Sequence, residues 1–265
     1  ILANAQPIQG TPILNSTYGT SSSNENLTVY NVSTADGDTD DVKNIINWYM
    51  NDTSITVLNM PFEADGTDNA SDYSGLGNNG TPTGGVTWNA TAGYDGKGAF
   101  EFDGDDDYIS LGDIIDIGAN NDLTISTWIK TDSAAGEIIA KTSGASPLYR
   151  FQISSGKLLI RVNDGVFNLN TISTSLLNDS LWHHTAAIID RDNNMTIFVD
   201  GVSESTINIS SVGDLDTAGI LTIGRFGSSS TNYFNGTIDD VLIFNRTLTP
   251  QQILALYNNR TDLIV

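Results

Sequence analysis

The chain has 265 residues, enough for one large domain with an appendage. Asp and Glu number 32 against 11 Lys and Arg, and the net charge of -21 sets up a field that repels nucleic acid and anionic membrane, which argues against both as partners. The absence of cysteine removes disulfides, thiol catalysis and cysteine metal sites together.

No apolar stretch reaches the roughly 18 residues of a membrane helix, so no membrane insertion is expected. The opening Ile1-Leu2-Ala3-Asn4 lacks the basic region and apolar run of a signal peptide, as in a processed, soluble chain. The acids are skewed to 27 Asp and 5 Glu, and Asp belongs in turns, loops and calcium sites, which points to an all-β, loop-rich protein.

Residues 1–57 predict four strands: around Ile13, at Asn26 to Tyr30, at Val42 to Tyr49 with Trp48, and at Ile55 to Leu58. An immunoglobulin-like sandwich needs about seven strands in roughly 100 residues. This segment is therefore a partial one, either packed on the rest of the chain or completed by a neighbouring chain. The acids Asp36, Asp38 and Asp40 have the spacing of a calcium loop but lack the distal Glu of an EF-hand. Ahead of a Trp-bearing strand, this stretch resembles polycystic kidney disease and cadherin-like repeats.

From residue 58 to 265 a second domain is expected. Two-residue alternation recurs at Asp122 to Lys130, Lys157 to Val162, Thr185 to Asp190 and Met195 to Val199, separated by turn signals at Asp164-Gly165, Asp200-Gly201 and Asn235-Gly236. Such spacing belongs to an antiparallel sandwich or jelly roll. One helix is announced, from Pro250 to Tyr257, with Thr249 as cap and Gln252 completing a capping box.

Motifs between about Leu58 and Thr261 occur together in one order: Met60-Pro-Phe-Glu63; Asp72-Tyr-Ser-Gly75-Leu-Gly77-Asn-Asn-Gly80; Phe102-Asp-Gly104 followed by Asp107-Tyr108-Ile109; Trp128; Trp182-His183-His184; Val199-Asp200-Gly201; and Gly236-Thr-Ile238-Asp239-Asp240-Val241. In these the chain resembles the laminin G-like, concanavalin A-like (pentraxin-like) superfamily. The resemblance implies an all-β jelly-roll sandwich of two antiparallel sheets, preceded by the small β segment and followed by one short helix. It also implies a calcium ion held by Asp239 or Asp240 with Glu63 and Asp72, to which Asn69 and Gly66 contribute. Members of this fold include lectins, adhesion modules, structural domains and glucanases, so function must come from the site.

Catalysis is not expected. Glu101-Phe-Asp103-Gly-Asp105-Asp106 lacks the second Glu of a glucanase strand motif, and His183 and His184, adjacent on a strand, point to opposite faces and cannot share one ion. Thirteen N-x-S/T sequons, at Asn15, Asn26, Asn31, Asn51, Asn69, Asn79, Asn89, Asn178, Asn194, Asn208, Asn235, Asn245 and Asn259, point to a glycosylated protein of the cell surface or extracellular space. The expected role is structural or adhesive and non-catalytic: self-association into a filament or surface layer by strand addition, or contact with other surface proteins. The alternative is a calcium-dependent, lectin-like module that binds glycans.

Overall fold

The computed structural model describes residues 7–16, 27–37, 42–63, 70–227, 231–258 and 262–263. Two large antiparallel sheets face each other, as the alternation predicts. One runs, in spatial order, Val202–Asn208, Asn194–Val199, Trp182–Ile189, Leu123–Lys130, Asn235–Phe244, Ala99–Asp103 and Thr87–Asn89, with Thr56–Met60 also paired to Asn235–Phe244, and so has eight strands. The other has seven: Asn168–Ile172, Lys157–Asn163, Leu148–Ser154, Ala135–Thr142, Ile220–Ile223, Tyr108–Gly112 and Thr81–Thr83.

The core lies between them and follows from the two-residue period. Tyr149, Phe151 and Ile153 on one strand and Leu158, Ile160 and Val162 on its neighbour point inward with Phe100, Ile109, Ile129 and Ile243. Phe100 is fully buried and meets Phe62 edge to face at 4.9 Å. Each such ring contributes about 1.5–3 kcal/mol of apolar burial. A smaller cluster of Ile55, Ala186, Ile188, Phe198, Phe244, Leu248 and Ile253 brings together residues of the eight-stranded sheet and the helix Pro250–Tyr257. That helix starts as expected: Thr249 Oγ1 accepts from Gln252 N–H and Gln252 Oε1 accepts from Thr249 N–H, a capping box worth about 1 kcal/mol.

Two sequence expectations are corrected. Val42 to Trp48 is not a strand; only Tyr49–Met50 pairs, in a short hairpin with Thr53–Ser54. The adjacent Ile45 and Ile46 break the alternation, and the segment instead lies along the sandwich: Ile46 C=O accepts from Asn59 Nδ2, Trp48 C=O accepts from Ile55 N–H, and Asn47 Nδ2 donates to Ser74 C=O. Asn235-Gly236 is not a turn either, but opens the longest strand. A Cβ on Gly236 would stand 2.2 Å from Lys130 C=O, so this glycine serves close approach of two strands rather than reversal.

Nearer the start, Ile13–Ser16, Leu27–Tyr30 and Asp262–Leu263 form a three-stranded sheet, and Ile8–Gln9 pairs with Thr34–Ala35. The strand Thr56–Met60, which runs across the expected boundary at 57/58, belongs to the eight-stranded sheet.

Candidate functional site

Three of the acids expected to hold calcium converge. A register shift opposite Asp239 and a left-handed backbone at Asp240 (φ 45) accompany a turn of these adjacent residues by which both carboxylates reach Tyr94, Asp239 at its backbone N–H and Asp240 at its side chain. Glu63 follows that strand, and Asp95 comes from the loop before Ala99–Asp103. At their centre lies Lys43. Its Nζ is 2.7 Å from Glu63 Oε1, 3.2 Å from Asp95 Oδ2 and 3.3 Å from Asp240 Oδ1, and 5.8 Å from the ring of Tyr94. Burial opposes the ammonium's charge, but Asp240 first, then Glu63 and Asp239, hold its pKa above the ordinary lysine value. Asp239 is fully buried, and desolvation with the adjacent Asp240 charge pushes its pKa up to about 9.

Asp72 has a different task. Oδ1 accepts from Asn59 N–H and Ser74 N–H, and Oδ2 from Ser74 Oγ–H and Asn78 N–H, so both oxygens organise the 72–78 loop. Asp38 and Asp40, with Gly66 and Asn69, lie outside the described residues, and Asp36 is half-buried. A cluster the sequence analysis did not single out is Asp103, Asp106 and Asp107, whose carboxylate oxygens come within 4.8 Å of one another and could hold a cation. Burial and the neighbouring Asp103, Asp106 and Asp105 charges raise the Asp107 pKa.

Among the sequons, Asn15, Asn31, Asn51, Asn79, Asn208, Asn235 and Asn245 are exposed, Asn89, Asn178 and Asn194 are half-buried, and Asn26, Asn69 and Asn259 lie outside the described residues. A glycan would replace a hydrogen on Nδ2. At Asn89, Asn208 and Asn235 that nitrogen already donates, to Glu101, Asn194 and the Asp103 carbonyl.

The histidines divide as the strand geometry requires. His183 is half-buried between Asp200 (2.9 Å) and Asp179 (3.2 Å), which raise its pKa. His184 is buried; Nε2 pairs with Ser126 Oγ at 2.9 Å while Nδ1 has no partner, so no carboxylate completes a triad. Glu101 is exposed and bonded to Asn89, as befits the solvent face of a strand.

The outer face of the seven-stranded sheet carries what the sequence analysis missed. Because Tyr149 and Phe151 point inward, Arg150 and Gln152 point outward, and the register sets Arg150 beside Arg161 and Gln152 beside Glu137. A β-bulge between Glu137 and Ile139 re-aims Glu137 onto this face. Glu137 is fully buried, with its Oε2 accepting from Arg150 Nε at 3.0 Å and Nη2 at 2.5 Å. Burial raises its pKa to about 7 despite Arg150 and Arg161. Glu137 N–H donates to Asn232 C=O, and the stretch 224–227 is tied beside the bulge by Gly224 N–H to Ile138 C=O. It brings Phe226 under the Arg150 guanidinium (4.0 Å) and Arg225 onto the Tyr108 ring (3.4 Å).

Arg150 and Arg161, side by side, and Arg225, farther across the sheet on Tyr108, therefore lie on one face of a chain with only 11 basic residues. Gln152 Oε1, Arg161 Nε and Arg225 Nε are buried there without a hydrogen-bond partner. Arginine at an outward strand position of an acidic chain is the signal that was available. A cleft of about 640 Å³ elsewhere, lined by Asn78, Asp116, Asn121, Asn245 and Arg246 with Leu76, has no aromatic ring in its wall.

A model of the concanavalin A-like lectin/glucanases superfamily matches residues 103–254. No curated protein matches the chain. Among solved structures it is similar to the binding domain of Paraclostridial Mosquitocidal Protein 1, with a TM-score of 0.65 and 18% identity over 77% of this chain and 52% of that one. The botulinum neurotoxin serotype G binding domain follows at 0.61 and 16% over 77% and 51%, and the receptor binding domain of botulinum neurotoxin D at 0.61 and 15% over 77% and 52%. The chain spans about half the length of these structures, and at such identities the likeness is one of fold.

Proposed function

Because the chain belongs to the concanavalin A-like lectin/glucanases superfamily, we propose that it is a non-catalytic, extracellular binding module that adheres to surfaces through the outer face of its seven-stranded sheet, with an acidic glycan as ligand. The observation that carries this reading is the set of Arg150, Arg161 and Arg225 on one face, with buried polar atoms the chain leaves unpaired. A guanidinium offers a planar fork that matches a carboxylate or sulfate, and rings beneath two of the three hold their planes fixed. In a chain of net charge -21, a local basic face also selects where an anion can approach. Glu137 is spoken for by Arg150 rather than set against a second acid, which supports binding over hydrolysis. The similar solved structures are named as binding domains, in keeping with a binding role.

A glycan array tests it. Sialylated, uronic or sulfated glycans are expected to bind and neutral ones not, with binding falling as salt rises. Arg161→Ala and Arg225→Ala should each weaken it on the order of tenfold, the loss of about one charge-assisted hydrogen bond. Silence across acidic glycans, or binding that survives both substitutions, removes the reading.

A second reading, assembly into a filament or layer by strand addition, is favoured by one observation. Ile13, Leu14 and Tyr30 are 55%, 59% and 53% exposed on the three-stranded sheet, whose outer strand Ile13–Ser16 has no partner on its far edge among the described residues. Light scattering of the full chain is expected to show species larger than the monomer that Leu14→Lys reduces; a monomer at all concentrations excludes assembly through this edge.

A further inference from the structure

The resemblance implies calcium at Glu63, Asp239 and Asp240, and the residues there do not fit it. Calcium takes about six to eight oxygens at roughly 2.3–2.6 Å. Three carboxylate oxygens face the centre of the cluster, Glu63 Oε1, Asp95 Oδ2 and Asp240 Oδ1, and each is already within 3.3 Å of the Lys43 ammonium. Of the rest, Glu63 Oε2 accepts from Gly98 N–H, Asp95 Oδ1 from Lys97 N–H, Asp239 Oδ1 from Asp240 N–H and Asp239 Oδ2 from Tyr94 N–H, while the Tyr94 side chain hydrogen-bonds Asp240. Asp72 is committed to its own loop. A divalent ion among these acids would stand against a fixed positive charge and find the three inward oxygens already taken by it.

We propose that the Lys43 ammonium is the resident cation of the Glu63, Asp95, Asp239 and Asp240 cluster, that residues 42–48 thereby form a built-in strap that excludes divalent ions, and that a site for calcium-like cations opens once the ammonium is removed. The rest of the strap is neutral in character: Asn47 donates to Ser74 C=O, Ile46 C=O accepts from Asn59, and Trp48 packs against the smaller apolar cluster. Lys43 is thus the point at which charge holds the segment down, and a positive side chain does from within the chain what a bound ion does from solution. The inference is independent of the arginine face.

Terbium is a suitable probe of the full chain, because Tyr94 stacks on Trp128 at 4.2 Å and lies 5.8 Å from Lys43 Nζ, so ring excitation would sensitise an ion held there. Wild type and Asp240→Asn are expected to give equal emission. Lys43→Met should gain emission on the order of tenfold, which calcium chloride competes away and which Asp240→Asn in the same chain removes. Lys43→Arg, which keeps the charge, should stay at the wild-type level. Wild-type emission that Asp240→Asn abolishes, or a folded Lys43→Met chain without the gain, overturns the proposal. Should Lys43→Met fail to fold, the comparison of wild type with Asp240→Asn decides: equal emission supports it, and a loss overturns it.

Discussion

Arg150→Ala is expected to cost about 3–5 kcal/mol of stability at pH 8, because it strips the partner from a buried carboxylate. Glu137 has no exposure, and Arg150 is bonded to it through Nε and Nη2. The size of the effect comes from what is left behind, an ionised oxygen pair in a fully buried site, more than from the attraction itself. The cost should therefore depend on pH. Glu137 already titrates at about 7 with its arginine present; without it the acid protonates more readily, and the loss should shrink markedly by pH 5. Glu137→Leu combined with Arg150→Met should recover most of the stability, since neither charge is stranded. Urea unfolding of wild type, Arg150→Ala and the double variant at pH 5 and pH 8 is the measurement. A pH-independent loss, or a double variant no better than Arg150→Ala, would mean that the guanidinium acts only by filling space.

The second expectation concerns two buried groups that pull the pH profile in opposite directions. Burial lowers the pKa of His184 to about 4, below its ordinary 6.5. Between those values the unfolded chain binds the extra proton, so stability from this residue is complete above pH 6.5 and lost as pH falls toward 4, in all about 3 kcal/mol. Burial raises Glu137 to about 7 from its ordinary 4.5, so the folded chain holds the extra proton, and stability from this residue is complete below pH 4.5 and lost as pH rises toward 7, again about 3 kcal/mol. The two contributions oppose each other between pH 4.5 and 6.5. Glu137→Gln should make the protein more acid-sensitive than wild type across that window, and His184→Gln, which can keep a bond to Ser126, less so. Urea midpoints measured at half-unit steps of pH would expose the two slopes. Profiles parallel to wild type in both variants would mean that neither group titrates inside the folded protein.

Much of the sandwich was legible because its inward residues alternate without interruption. Leu123 to Lys130 is such a run, and it became a strand over the whole of that span. The capping box at Thr249 and Gln252 was legible for a local reason, three residues of spacing. The stretch from Val42 to Trp48 misled because β-branched residues were present without a partner strand to give them hydrogen bonds. Glu63, Asp239 and Asp240 were brought together as the motif resemblance implied, but the meaning of Lys43 was hidden: its contact with Asp240 spans 197 positions and depends on how a segment outside the motifs lies down. The arginine face was hidden for a related reason. On paper, Arg150 and Arg161 are ordinary solvent-side residues of two strands; only the stretch 224–227, which sets Phe226 against the Arg150 guanidinium, covers the first of them.

The ten-residue strand Asn235–Phe244 has a kinetic consequence. It is the common neighbour of Thr56–Met60, Ala99–Asp103 and Leu123–Lys130, so Met60 waits for Val241 and Phe100 for Ile238. During synthesis the eight-stranded sheet is missing a middle member until the ribosome has passed residue 244, and the inner edges of Ala99–Asp103 and Leu123–Lys130 stay open in the meantime. High contact order of this kind makes folding a slow, late and largely all-at-once event. The apolar strands made before Asn235–Phe244 therefore lack their central hydrogen-bonding partner until it arrives.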